Sequence, residues 1–300
     1  MTRFYNLENP DRSFVQVIKW LATRKKKKRP AYKQIKLAKK PRSKVESGFK
    51  ITFVNHSTLL IQWQGKNILT DPIYSKRASP FRYLGPKRLH APGISFDQLP
   101  PIDIILLSHN HYDHMDLPTL EALRDRFDPL IITGLGNKAY LKKHHLLHVK
   151  ELAWWETYKK APFEVTFTPA EHFSARWPWD KNKTLWGGFF LRAGEETLYF
   201  AGDTGYGQFF KKIAHTLGSP DLSLLPIGAF KPRWFMQPAH MSPEEARKAF
   251  RDLKGKRWIP IHFGTFNLSD DTAEEALNLV KEDPAIIILQ PGDSYEANGL

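Results

Sequence analysis

From Ile51 onward the apolar residues come in short bursts separated by turn residues. Ile51–Thr52–Phe53–Val54, Thr58–Leu59–Leu60–Ile61–Gln62–Trp63 and Asn67–Ile68–Leu69–Thr70 read as a strand meander, with Gln64–Gly65 as a turn. Ile102–Asp103–Ile104–Ile105–Leu106–Leu107 is β-branched and aliphatic and reads as a buried strand. A helix opens at Leu117, with Asp116 as its N-cap and Pro118 in its first turn. Further strands are predicted at 130–133, 163–170, 222–225, 258–261 and 286–289, the last being the final strand. A hairpin is predicted from 186–192 and 197–201, and helices at about 137–145, from Ser242 onward, and at about 272–281. Upstream, residues 11–22 form one amphipathic helix in which Phe14, Val17, Ile18 and Leu21 share a face, packed on the body or turned to lipid.

The chain carries a formal net charge of +14, and its distribution matters more than its size. Residues 24–50 hold thirteen Lys and Arg against the single acid Glu46, so an arm carries the basicity and the remainder is close to neutral. Runs of this kind are usually solvated, and beside anionic lipid or nucleic acid each group contributes about 1 kcal/mol. The 300 residues divide into an amphipathic and Lys-rich segment over 1–50 and a catalytic domain over 51–300. No apolar run reaches the length of a membrane span, and the order of apolar and charged segments is wrong for a secretory signal. The expectation is an unprocessed cytoplasmic protein, peripheral at the inner face of the membrane. There are no cysteines, so a metal here is held by nitrogen and oxygen.

One pattern recurs: a strand with a His or Asp just past its end. It occurs at His109, His172, Asp203 and His262. Ligands collect at strand ends in open sheets, so these loops are expected to meet at one edge. The densest stretch is Ser108–His109–Asn110–His111–Tyr112–Asp113–His114–Met115–Asp116. His109, His111, Asp113, His114, His172, Asp203 and His262 are together too many ligands for one ion and suit two, with one carboxylate bridging. His56 lies alone in the first connection and is assigned a hydrogen-bonding role outside the site. His144, His145 and His148 are assigned to surface or packing roles, since no acid accompanies them.

The run His109 to His114 resembles the HxHxDH signature of the metallo-β-lactamase superfamily. Leu69–Thr70–Asp71–Pro72–Ile73–Tyr74–Ser75, Gly202–Asp203–Thr204–Gly205–Tyr206, Pro232–Arg233–Trp234–Phe235–Met236 and His262–Phe263–Gly264–Thr265–Phe266 resemble one branch of it, the N-acyl-phosphatidylethanolamine-hydrolysing phospholipase D family. The likeness runs from about Ile51 to about Asn267. It implies a four-layer αβ/βα sandwich with two zinc ions at one edge. His109, His111 and His172 would hold one zinc, Asp113, His114 and His262 the other, and Asp203 would bridge them. A hydroxide between the ions would attack phosphorus, releasing N-acylethanolamine and leaving phosphatidic acid. The catalytic set would be Asp113, Asp71 orienting a ligand or the water, and His240 assisting proton transfer. A phospholipid substrate and an anionic membrane surface are the implied partners; a homo-oligomer is left open. The competing readings are a hydrolase of the same fold acting on a nucleic-acid phosphodiester or a lactone, and a binding protein without catalysis. Trp154–Trp155 and Trp177–Pro178–Trp179 suit lipid better than base stacking.

Overall fold

The computed structural model describes residues 3–8, 13–24, 32 and 34–297. Two sheets face each other. The first contains β1 (Phe49–Asn55), β2 (Thr58–Trp63), β3 (Lys66–Thr70), β4 (Ile104–Leu107), β5 (Leu130–Gly134), β6 (Val149–Leu152) and, last in the chain, β13 (Ser294–Ala297). The second contains β7 (Thr157–Lys160), β8 (Phe163–Thr168), β9 (Gly188–Ala193), β10 (Glu196–Phe200), β11 (Leu222–Pro226) and β12 (Arg257–Ile261). The spatial orders are β13-β1-β2-β3-β4-β5-β6 and β12-β11-β10-β9-β8-β7. Each sheet is half antiparallel and half parallel: β3 to β6 run parallel in the first, β10 to β12 in the second.

Strand periodicity builds the layers. In β1, Phe49, Ile51 and Phe53 point between the sheets, as do Leu59, Ile61 and Trp63 in β2. There Phe53 stacks on Phe263 at 5.7 Å and Trp63 meets Phe163 at 5.0 Å. Alternate residues Leu60, Leu69, Ile105, Leu107 and Ile131 face the other way, into a second core with Leu120 and Leu123 of α2 (Leu117–Phe127) and Leu141 of α3 (Asn137–Lys142). The second sheet is covered by α4 (Phe209–Leu217), through Phe209, Phe210 and Ile213, and by α6 (Pro243–Leu253), through Ala246, Ala249, Phe250 and Leu253. α6 begins as its sequence prescribes: Ser242 and Glu245 form a reciprocal capping box with Pro243 in the first turn. The result is the expected four-layer αβ/βα sandwich.

Several expectations are corrected. Residues 286–289 are not a strand; only Ile286 bridges to Trp258, and the true last strand is β13, a polar edge strand that apolar patterning does not reveal. The strand at 102–107 starts at Ile104, and the one at 163–170 ends at Thr168, ahead of Pro169. The helix at 137–145 stops at Lys142 because the chain turns through His145 at φ 58°. Asp116 is the N-cap residue of α2, but its side chain accepts from Ser75, Tyr74 and Thr119; Pro118 has no N–H to offer it. Strands β6 and β7 and helix α4 carry no expectation above.

The amphipathic N-terminal helix exists as α1 (Phe14–Thr23), capped by Ser13 and Gln16. Its faces divide differently from the expectation: Trp20 stacks on Phe235 of α5 (Arg233–Met236) at 4.8 Å, while Ile18 and Leu21 are exposed. The first half of the Lys-rich arm, residues 25–31 and 33, lies outside the described residues. Its second half is fastened to the body through Ala38 N–H to Gly93 C=O and Gly65 N–H to Val45 C=O, at 2.8 Å each. Among the described residues no helix is long and apolar enough to cross a membrane.

Phe53 is fully enclosed where the sheets meet. Phe53→Ala is expected to lower unfolding free energy by about 3–5 kcal/mol, through lost burial and a residual cavity. Urea denaturation with an unchanged m-value checks it.

Candidate metal centre

Parallel strands that end at the same edge deliver their following loops to one place. Asp71 follows β3, the Ser108–Asp116 loop follows β4, His172 follows β8, Asp203 follows β10 and His262 follows β12. His240 comes from the turn after α5. All nine residues singled out in the sequence meet there.

Two groups of donors lie side by side. In one, His109 Nε2 is 2.8 Å from His111 Nδ1, which is 3.2 Å from His172 Nε2. In the other, Asp113 Oδ2 is 3.5 Å from both His114 Nε2 and His262 Nε2. Asp203 stands between them: its Oδ2 is 2.9 Å from His262 Nε2, 3.2 Å from His114 Nε2, and 3.9 Å from His172 Nε2 and from His240 Nδ1.

Outward hydrogen bonds set the direction of these rings. His172 Nδ1 donates to the Ala239 carbonyl at 2.8 Å, and His114 Nδ1 donates to Asp71 Oδ2 at 2.6 Å. Ser108 Oγ gives its proton to Asp71 Oδ2 and accepts from His109 Nδ1 at 2.9 Å. In each ring Nε2 is left facing the centre, which is how metal-binding imidazoles are oriented. Asp71 is wholly buried and also accepts the Ser108 N–H, so it positions two imidazoles and cannot itself meet substrate.

The surroundings separate the imidazoles by charge state. Burial, then His114 and its neighbours, hold His109 well below the usual imidazole range; burial and His111 do the same to His172. Burial also opposes a charge on His114 and His262, yet the carboxylates win: Asp203, Asp113 and Asp71 hold His114 well above its ordinary value, and Asp203 with Asp113 pushes His262 up to about 9. Asp113 and Asp203 resist the upward push of burial and stay well below the carboxylate range, chiefly through His114. His114 Nε2 and His262 Nε2, both buried, approach Asp203 without the alignment of a hydrogen bond. Such a set of nitrogen and carboxylate donors, turned inward and short of proton partners, fits a divalent metal.

The backbone is strained around this point. His56, Asp71, Ala229 and His262 all take positive φ, between 32° and 60°. Gly228 passes so close to the His262 carbonyl that a Cβ would lie 2.0 Å from it. A cavity of about 410 Å³ opens over the donors and is walled by Val17, Trp20, Phe173, Phe235, Met236 and Leu268. Two members of that wall come from α1.

The profile described as the beta-lactamase superfamily domain matches residues 66–263. N-acyl-phosphatidylethanolamine-hydrolyzing phospholipase D 1 of Caenorhabditis elegans is 32% identical over 275 residues, covering 84% of this chain and 77% of the worm protein. The chain belongs to the metallo-β-lactamase superfamily, in its N-acyl-phosphatidylethanolamine-hydrolysing phospholipase D-like family. The Mycobacterium tuberculosis protein Rv0906 is 37% identical over 224 residues, covering 73% of this chain; the matched stretch spans 59% of that relative's length. Among solved structures, isothiocyanate hydrolase from Delia radicum gut bacteria shares the fold, with a TM-score of 0.67, 21% identity and coverage of 83% and 100%. Trp20 and Val17 lie outside the profile's span, so part of the cavity wall is supplied from beyond the family domain.

Sequence reasoning left His56 out of the site. The structure puts its Nε2 3.0 Å from Asp113 Oδ2. A single His in a hairpin turn gives no signal of this; only the strand pairing brings it in. Of the other histidines set aside, His144 does have an acid beside it, Glu121 at 3.1 Å, in a partly exposed pair away from the centre. Trp154 is tied inward, its Nε1 donating to the Trp186 carbonyl, whereas Trp177 and Trp179 stack on each other at the surface.

Asp71→Asn keeps the volume but sets an amide donor against at least one of the Ser108 and His114 protons. We expect divalent-metal affinity to fall about 10–100-fold, checked by titration against a competing chelator.

Proposed function

We propose that this protein is a zinc-dependent phosphodiesterase that hydrolyses N-acyl-phosphatidylethanolamine-type phospholipids to N-acylethanolamine and phosphatidic acid. The observation that carries this reading is the opening of a largely apolar cavity of about 410 Å³ directly onto two adjacent donor groups with Asp203 between them. The name carried by the worm relative supports the same substrate class.

In this reading His109, His111 and His172 would hold one zinc, and Asp113, His114 and His262 would hold the second. Asp203 stands between the two groups, within reach of both. Two such ions, when bound, acidify a water and neutralise charge developing on the phosphoryl oxygens. The protein's own part is orientation. Asp71 fixes His114 directly and His109 through Ser108. The cavity wall of Trp20, Phe235 and Met236 takes up acyl chains and excludes water from the phosphate. As the bond from phosphorus to the ethanolamine oxygen breaks, the departing alkoxide needs a proton. His240, on the cavity wall near Asp203, is assigned its delivery.

Residues 1–50 act in this reading as a docking segment for the catalytic body over 51–300, holding a cytoplasmic protein against an anionic membrane surface. The exposed Val15, Ile18 and Leu21 on α1 and the half-exposed Trp234 are the apolar contact, and Lys19 sits 5.1 Å over the Trp234 ring beside them.

Metal-loaded protein should release N-acylethanolamine from N-acyl-phosphatidylethanolamine vesicles, and chelator should abolish the release; lactone and RNA substrates serve as comparators. Absence of release by protein shown to contain zinc removes the lipid reading. Ile18→Asp with Leu21→Asp is expected to reduce co-sedimentation with anionic vesicles at least several-fold while leaving hydrolysis of detergent-dispersed lipid within about twofold, a difference reflecting apolar burial at the interface.

A further inference from the structure

We propose that His56 is a positioning residue of the metal centre, locking Asp113 and His262 into a single arrangement; this rests on the metal-binding reading above. His56 is the first residue of the two-residue turn between β1 and β2, outside the span matched by the family profile. It takes φ 50°, a conformation that favours glycine or asparagine in such turns. A buried imidazole kept in that conformation calls for a role, and three contacts supply one.

Its Nε2 lies 3.0 Å from Asp113 Oδ2. A carboxylate oxygen only accepts, so Nε2 carries the proton and the tautomer is determined. Its backbone carbonyl accepts the N–H of His262 at 2.9 Å. Its own N–H donates to Thr265 Oγ1 at 2.8 Å, three residues beyond His262. The ring lies 4.1 Å from the His262 ring and edge-on to Phe266 at 5.3 Å. One residue of the first sheet's hairpin therefore grips the side chain of Asp113, from the loop after β4, and the backbone of His262, from the second sheet. Those two donors arrive from different sheets, and without such a link their separation depends on sheet-to-sheet packing alone. Outer partners of this kind orient metal-binding groups and raise their affinity.

The test separates the N–H from the bulk of the ring. Glutamine places an amide N–H near the position of Nε2; asparagine places its amide near Nδ1; alanine has neither. Asparagine suits the positive φ of this turn, whereas alanine and glutamine carry the same backbone strain as histidine. Metal affinity and stoichiometry are measured by zinc titration against a chromophoric chelator, with thermal unfolding of each metal-free variant as the check on folding. We expect His56→Ala and His56→Asn to weaken one of the two zinc equivalents about 10–100-fold and His56→Gln to remain within about threefold of wild type. Should alanine fail to fold, the asparagine and glutamine pair decides. Equal affinity in wild type and His56→Asn overturns the proposal, as does a glutamine variant as weak as asparagine, since a ligand or packing role gives that result. Wild type that binds no zinc overturns the metal reading beneath it, and that outcome is read without any variant.

Discussion

Crowding imidazoles and carboxylates into one buried place is unfavourable, and the architecture around the centre answers that constraint. Like-charged rings resist sharing a pocket, and burial together with the neighbouring imidazoles drives His109 and His172 to neutrality. Asp203 reverses the balance for His114 and His262. The opposing demands are satisfied together when a cation takes the place of the protons. Asp71, buried behind the site, keeps the arrangement from relaxing by directing His114 and His109 inward through fixed hydrogen bonds. The positive φ values at His56, Asp71, Ala229 and His262 are the backbone counterpart of the same constraint.

The two-sheet frame makes this crowding achievable. Donors arrive from the ends of β4, β8, β10 and β12, and their support Asp71 from the end of β3, so each is borne by a short loop anchored to a buried strand. Loops on rigid strands hold side chains more closely than a long surface loop does. The inter-sheet core, filled by Phe53, Trp63, Phe163 and Phe263, keeps the two groups of loops at a constant separation. Stability of the core and geometry of the centre are therefore one property viewed at two depths.

The cavity above the centre is assembled differently. Its walls come from α5, from Leu268 and from α1, the last reaching over from the N-terminal segment. The contact of α1 with the body rests on the Trp20–Phe235 stack and on Arg24, which pairs with Asp270 at 3.8 Å. The cavity wall is in this way less deeply rooted than the donors beneath it. The donors sit on the rigid frame, and the cavity over them is closed in part by an element at its margin.

The HxHxDH run, the acid at the end of β10 and the histidine after β12 were legible from residue order alone. Strand-length apolar bursts followed by a ligand-type residue carry that information locally. The burst Ile51–Thr52–Phe53–Val54 likewise announced a strand, though its start at Phe49 emerged only from the fold. What the chain order could not express was everything dependent on pairing between distant strands. His56 looks like an ordinary turn residue until the hairpin docks beside Asp113. Trp20 breaks the expected stripe of Phe14, Val17, Ile18 and Leu21 until Phe235 faces it. β13 is too polar to declare itself and becomes a strand only because β1 offers an open edge. Local sequence determined which groups were available and on which side of each strand they stood; the packing of one sheet on the other decided which of them meet, since contact between residues far apart in the chain is a property of the folded whole.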